Sequence, residues 1–292
     1  MNDRKYTDDM FPEQEAVEAE EFEYEDGMDD DYREDGSAYN SFAWVYDTLM
    51  DNIPYDEWTE YLVELLREYG VSEGLLLDMG CGTGNVTERL AAFGYDMIGI
   101  DNSEEMLMEA RDKMVQSGRD ILYLLQDMRS FELYGTVAAA VSICDSMNYI
   151  LEIEDLQKVF HLVNNYLDPG GVFIFDFNTS YKYKEVIGDQ IIAENRDDCS
   201  FIWENSFDEE DQINIYDLTI FIQENGDLFR RYQETHYQRA WQTEELIQAA
   251  ESAGMKVLNI YDAFTHSSPR PDSERLYMIV QEQGKGGKKV YE

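Results

Sequence analysis

The sequence predicts an α/β fold: a doubly wound sheet of seven mostly parallel strands, with an antiparallel β insertion and N-terminal capping helices. Three observations point there. From residue 75 to 177, short apolar runs alternate with amphipathic stretches, the order expected of βαβ units whose strands are buried on both faces. Directly after the first apolar run come an acid and three glycines at alternate positions, which suits a strand entering a tight turn. From about residue 180 to 240 the pattern changes to longer stretches rich in β-branched and aromatic residues, as in hairpins.

Taken in order, residues 1–36 hold 16 acids and 3 bases with few aliphatics, and read as an acidic disordered tail. The folded domain is expected over 37–283, with the glycine-lysine stretch 284–292 as a flexible tail. Tyr39, Phe42, Ala43, Tyr46, Leu49 and Met50 fall at helical spacing. After Pro54, an apolar face at Trp58, Tyr61, Leu62, Leu65, Leu66 and Tyr69 predicts a second helix, closed by Gly70. Leu75–Met79 is a strand, and Val86–Phe93 lies on a helix that Gly94 ends. Met97–Ile100 is a strand stopping at Asp101. Ser103 then caps a helix whose first turn carries Glu104 and Glu105, a favourable charge placement. Ile121–Leu125 and Val137–Ile143 are the third and fourth strands. Ile153–Leu167 is a helix stopped by Asp168-Pro169-Gly170-Gly171, and Val172–Phe177 is the fifth strand. In the insertion, Ser200–Phe207, Gln212–Gln223 and Leu228–Ala240 are strands, the last two joined by a turn centred on Asn225-Gly226. A helix over Thr243–Ala253 and strands over Lys256–Tyr261 and Leu276–Gln281 complete a Rossmann-like order.

The formal net charge is −41, of which −13 lies in residues 1–36 and −28 in the rest. Such a field repels phosphate backbones, so nucleic acid is not expected as a partner. No apolar run approaches the length of a membrane helix, and no basic-then-apolar secretory signal opens the chain. Cys81, Cys144 and Cys199 form no C-x-x-C, which fits a reduced, cytoplasmic setting. His161, His236 and His266 are far apart and lack metal-ligand spacing, so no metal site is expected. A homodimer is compatible with this composition.

Residues 75–85 read Leu-Leu-Leu-Asp-Met-Gly-Cys-Gly-Thr-Gly-Asn. The dinucleotide fingerprint G-x-G-x-x-G sets helix N–H groups on a pyrophosphate. Here the third glycine arrives one residue early, and Asp78 stands two residues before the first. The pattern Asp-x-Gly-x-Gly-x-Gly resembles motif I of the class I S-adenosylmethionine-dependent methyltransferases. Three further segments, Tyr-Asn-Ser-Phe-Ala-Trp-Val-Tyr-Asp-Thr-Leu-Met from Tyr39, Cys-Asp-Ser-Met-Asn-Tyr from Cys144 and Glu-Thr-His-Tyr-Gln-Arg from Glu234, are similar to those of the YqeM-like small soluble methyltransferases. The resemblance covers roughly residues 37–283.

The resemblance implies S-adenosyl-L-methionine as cofactor. It puts Asp78 near the amino-acid end and the loop of Gly80, Cys81, Gly82 and Gly84 on the carboxylate. Asp101, followed by Asn102, ends the second strand where a carboxylate accepts from ribose hydroxyls. Met106 is a candidate to pack on adenine, and Asp127 with Met128 to meet the adenine edge. Cys144 falls at the fourth strand's end, beside the sulfonium. It reads as a small buried residue and not a nucleophile, because no Pro-Cys is present. Tyr39 and Tyr46 share a helix that closes over the cofactor in related enzymes, where a tyrosine hydroxyl can approach the methyl donor. Tyr39 is a catalytic candidate on that ground, Asp145 and Asn148 are candidates to orient a substrate amine or hydroxyl, and His236 to abstract a proton. The expected reaction is methyl transfer to N or O of a small-molecule acceptor. Two alternatives stand beside it: a methyltransferase of RNA or protein, and a non-catalytic S-adenosylmethionine-binding or partner-binding module with an acidic docking tail.

Overall fold

A computed structural model describes residues 43–284. The acidic segment 1–36, Tyr39, Phe42 and residues 285–292 lie outside the described residues. Within them, β1 (Leu75–Met79), β2 (Asp96–Asp101), β3 (Ile121–Leu125), β4 (Val137–Ser142) and β5 (Leu167–Asn178) pair in parallel. β10 (Met255–Asp262) and β11 (Arg275–Glu282) extend the sheet antiparallel beyond β5, giving the order β10-β11-β5-β4-β1-β2-β3. The order reverses between β1 and β4, the switch point outside which ligands bind in such sheets.

Both sheet faces are covered, which is why the strands read as unbroken apolar runs. Leu76, Val141 and Ile174 pack under α2 (Tyr55–Glu68), α3 (Asn85–Ala92) and α4 (Glu104–Ser117). Their neighbours Leu77, Ala140, Phe173 and Phe175 pack under α5 (Ile153–Tyr166) and α6 (Thr243–Ser252). Full burial of such a side chain is worth about 1.5–3 kcal/mol. The predicted cap of α4 is present: Ser103 Oγ accepts from the Met106 N–H at 3.2 Å.

Three local expectations are corrected, and the α6 cap is added. The Asp168-Pro169-Gly170-Gly171 stretch does not precede β5 but lies within it. Leu167 pairs with Val137 and the next pair is Val172 with Ala139, so these residues form an irregular bulge. The α6 cap is Gln242, and the Glu245 carboxylate turns back to accept from the Gln242 N–H at 2.9 Å. The hairpin turn is centred on Gly226-Asp227, since Asn225 already pairs with Leu228 and Gly226 takes the left-handed φ of 59°. The insertion forms a sheet of its own with a strand the sequence reading lacked: β6 (Ile191–Asn195), β7 (Cys199–Asp208), β8 (Ile213–Asn225) and β9 (Leu228–Arg239), paired in that order. A π-helical turn over Lys182–Ile187 leads into it.

Helix α1 (Ala43–Leu49) belongs to this second layer. Val45 and Leu49 pack on Cys199, Leu218 and Ile220 of the insertion. Just beyond it, Asp51 takes a forked pair from Arg196 at 2.8 and 2.9 Å. Among the described residues no helix is long and apolar enough to cross a membrane, and no group of three His, Cys, Asp or Glu side chains is placed to hold a metal.

Candidate active site

The glycine loop hangs from the end of β2. The N–H groups of Gly80 and Cys81 both donate to Ile100 O, at 2.9 and 3.0 Å. Gly80, Gly82 and Gly84 all have left-handed φ, 68°, 53° and 77°, which L side chains adopt at a cost. Contacts exclude a side chain at two of them. A Cβ on Gly80 would stand 2.7 Å from Ser146 Oγ, and one on Gly84 would stand 2.5 Å from the Tyr123 hydroxyl. A Cβ on Gly82 would meet none of the described residues within 4 Å. Met128, half-buried after β3, brings its methyl to 3.2 Å from the same Gly80 position.

Asp101 closes β2 against this loop. Its Oδ2 accepts from the Gly82 N–H at 2.8 Å and its Oδ1 from the Ser103 N–H at 2.9 Å. Burial raises its carboxyl above the usual range, although the N–H groups of Ser103, Gly82 and Asn102 oppose the rise. Asp78 is more deeply placed, 2% exposed, and accepts from Thr87 Oγ1 at 2.6 Å. Burial, with Asp101 adding, pushes it up to about 7 against the Thr87 hydrogen bond. Two carboxyls are thus held together in a dry loop, where a cationic ligand group lowers their energy. Met106 is buried in the first turn of α4. Asp127 lies beyond β3, where burial favours its neutral form. Hydrogen bonds from Arg129, at 2.7 and 3.0 Å, outweigh that and hold it below the usual carboxylate range.

The end of β4 is strained. Cys144 and Asp145 both take left-handed backbone, φ 66° and 55°, at roughly 1–3 kcal/mol each. Asp176 of β5 compensates by accepting from their N–H groups at 3.2 and 2.8 Å. Arg275 of β11 bridges Asp176 at 2.5 Å and Asp145 at 2.7 Å, and Gln238 of β9 donates to the other Asp145 oxygen at 2.7 Å. Burial, then Asp176, pushes the Cys144 thiol well up, which makes it a poor nucleophile. Tyr46 reaches this point from α1. Burial first, then Tyr55 and Cys144, raise its phenol well above the ordinary value, and Asp145 contributes.

Two predicted catalytic residues are placed differently from their expectation. Asn148 is fully buried and its amide is spent on backbone: it donates to Asn178 O and Arg239 O at 3.1 and 2.8 Å and accepts from the Asn178 N–H at 2.9 Å. It therefore ties the turn after β4 to β5 and β9. His236 is 4% exposed, with Nδ1 3.5 Å from the Tyr149 hydroxyl and Nε2 3.3 Å from Glu234. Arg239, near it on β9, stacks on Trp241 at 4.2 Å and donates to Leu151 O.

The structure also adds a residue that spacing could not reveal. Asp47 on α1 accepts from Thr83 Oγ1 and Asn85 Nδ2, each at 2.8 Å, and pairs with Lys113 at 2.5 Å. Lys113 in turn donates to Thr83 O at 2.9 Å. This latch lays α1 across the glycine loop. Asp176 did carry a signal, an acid inside the apolar run Val172–Phe177, which burial tolerates only with partners.

The profile described as "Methyltransferase domain" matches residues 76–171. YqeM of Bacillus subtilis (strain 168), named as a methyltransferase, is 39% identical over 245 residues, covering 83% of this chain and 96% of that protein. A crystal structure of an S-adenosylmethionine-dependent methyltransferase from Clostridium acetobutylicum ATCC 824 superposes with a TM-score of 0.75 at 30% identity, covering 84% of this chain and 99% of that one. A dTDP-3-amino-3,4,6-trideoxy-alpha-D-glucopyranose N,N-dimethyltransferase of Streptomyces venezuelae is 31% identical over 115 residues, 39% of this chain and 47% of that protein.

Proposed function

The chain belongs to the YqeM-like S-adenosylmethionine-dependent methyltransferases, and from that premise we propose that it moves a methyl group to nitrogen or oxygen of a small-molecule acceptor. The observation that carries the cofactor assignment is Asp101. Its Oδ2 accepts from the Gly82 N–H and its Oδ1 from the Ser103 N–H, and the lone pairs a carboxylate has to spare can accept from ribose hydroxyls, beside a Gly82 position that meets no described residue within 4 Å. We assign Asp78 to the ammonium end of the cofactor's amino-acid part; the loop expected on the carboxylate spends its Gly80, Cys81, Gly82 and Gly84 N–H groups on Ile100 O, Asp101 and Cys81 O, so it offers a glycine backbone surface and not these four donors. Met106, Asp127 and Met128 take the adenine side. Tyr46 and the left-handed Cys144 backbone stand at the methyl end.

The cofactor supplies a methyl group already activated by positive sulfur. What remains for the protein is alignment, and effective molarities allow about 7–11 kcal/mol from holding two groups in line. The Asp47 latch and the insertion sheet place α1 over the loop for that purpose. A base adds roughly 10²–10⁴-fold when the acceptor arrives protonated, and His236 is the assigned proton acceptor. Asp145, fixed by Arg275 and Gln238, directs the acceptor. A cavity of about 290 Å³ is lined by Lys182, Phe264 and Arg275, and Arg275 also pairs with Asp145 at 2.7 Å. The net charge of −41 disfavours a nucleic acid, and the Streptomyces venezuelae relative is named for an amino-sugar acceptor. We take 37–283 as the catalytic domain, with residues 180–240 as its insertion.

The test is a metabolite panel of amines, phenols and hydroxy compounds scored by S-adenosylhomocysteine release. Turnover of one chemical class supports the reading, and it should survive deletion of residues 1–36. Turnover only with RNA or protein would overturn the small-molecule assignment.

A further inference from the structure

We propose that Lys182 binds a carboxylate of the methyl acceptor, so that the acceptor is an anionic small molecule; the inference rests on the methyl-transfer reading above. The cavity of about 290 Å³ has a polar wall of Lys182, Arg270, Arg275, Asp262, Asp272 and Glu274. Strand order sets its place. Arg275 opens β11 opposite Asn178 at the end of β5, and Asp262 ends β10 opposite Leu276. β11 is antiparallel to both neighbours, so β5 and β10 end on the same side. The cavity therefore lies at the carboxyl edge of the parallel strands, where the glycine loop leaves β1 and Cys144 follows β4. Such sheets bind ligands at that edge. Arg275 belongs to both places, since it lines the cavity and pairs with Asp145 at 2.7 Å.

Two of the cations on this wall are already engaged. Arg270 pairs with Asp262 and Asp272 at 3.4 and 3.3 Å, and Arg275 with Asp176 and Asp145 at 2.5 and 2.7 Å. Lys182 pairs with no acid among the described residues. Its Nζ finds one hydrogen-bond partner there, the neutral amide oxygen Asn178 Oδ1 at 2.9 Å, and an ammonium has further donors to spend. Burial first, then Arg275, hold the Lys182 ammonium below the ordinary lysine range against the pull of Asp145, Asp176 and Glu274. The acids nearby therefore do not compensate its charge in full. A half-buried ammonium without an anion in contact is costly, and a ligand carboxylate offsets that cost with charge-assisted hydrogen bonds. Asp262, Asp272 and Glu274 on the same wall repel a dianion, which favours a single carboxylate over a phosphate. Phe264 supplies the apolar side. It holds a left-handed φ of 60°, an outlier for a bulky residue, and stacks on Trp58 with ring centroids 5.0 Å apart. This exposed ring lines the cavity and offers a face to the body of the acceptor.

The experiment uses the full chain with ¹³C-lysine and bound S-adenosylhomocysteine. Millimolar acetate should move the Lys182 Cε resonance and raise the proton affinity of its ammonium about tenfold, and inorganic phosphate should do less. Each amine, phenol and hydroxy compound of the acceptor panel is then compared as its carboxylate and as its carboxamide. Carboxylates should exceed their carboxamides by about tenfold or more in kcat/KM. In Lys182→Gln that preference should vanish through a higher KM, and Lys182→Arg should restore it. A Lys182 resonance that acetate leaves in place, equal turnover of the paired compounds, or a Lys182→Gln defect confined to kcat overturns the subsite and leaves the methyltransferase reading standing. A larger response to phosphate than to acetate overturns the carboxylate assignment. Failure of the wild-type chain to bind S-adenosylmethionine, measured separately by calorimetry, strikes the underlying reading instead.

Discussion

Replacing Asp78 with asparagine should stabilise the ligand-free protein at alkaline pH while weakening its hold on S-adenosylmethionine. Burial, aided by Asp101, pushes the Asp78 carboxyl from an ordinary 3.8 up to about 7, with the Thr87 hydroxyl at 2.6 Å opposing. The unfolded chain gives up this proton near pH 4, so between about pH 4 and 7 the folded state binds more protons. Stability from this group is therefore fully present below about pH 4 and is lost as pH rises through about 7. A rise of roughly three pH units corresponds to about 4 kcal/mol. Asparagine keeps the acceptor for Thr87 and never ionises. The variant should gain up to about 4 kcal/mol over wild type near pH 8 and less than about 2 kcal/mol near pH 5, reduced at both by the cost of its own amide donors. At about 2–4 °C per kcal/mol for a domain of this size, thermal melts at the two pH values resolve the difference. A gain equal at both, or a loss near pH 8, would refute the claim that an ionised Asp78 is carried at a cost in stability. Such a cost is retained where a ligand's positive group later offsets it.

Three other substitutions test separate parts of the account. Asp47→Ala removes the acceptor for Thr83, Asn85 and Lys113; it should weaken S-adenosylmethionine binding roughly tenfold and speed amide exchange in residues 43–49. Gly82→Ala meets no contact but keeps a φ of 53°, so the fold should lose only about 1–2 kcal/mol by urea titration while ligand affinity falls further. Asn148→Ala orphans three backbone groups and should cost on the order of 2–3 kcal/mol in urea denaturation, with little effect on the S-adenosylmethionine affinity of the folded fraction.

The central strands were readable because burial on both faces leaves no polar alternation to confuse them, and β1 matches its expected limits. β6 escaped notice for the opposite reason. Its five residues alternate between exposed and half-buried, with an alanine and a glutamate inside the run. The start of β5 was hidden by a Pro-Gly-Gly stretch that a bulge accommodates. On the cofactor side, legibility came from local backbone demands: three left-handed glycines and acids at strand ends. The acceptor side offers no such local rule. Asp145 meets Arg275 across 130 residues and Gln238 across 93, so their pairing follows from strand order and not from spacing. Asp47 is one acid among 63 Asp and Glu residues, and only the docking of α1 on the loop distinguishes it.

Calorimetric titration of the full chain with S-adenosylmethionine, beside Asp101→Ala, tests the central claim most directly. The account predicts one site with a Kd on the order of micromolar for wild type, and at least a tenfold loss in the variant as the ribose acceptor is removed. No heat of binding at millimolar ligand, or equal affinity in Asp101→Ala, would contradict it.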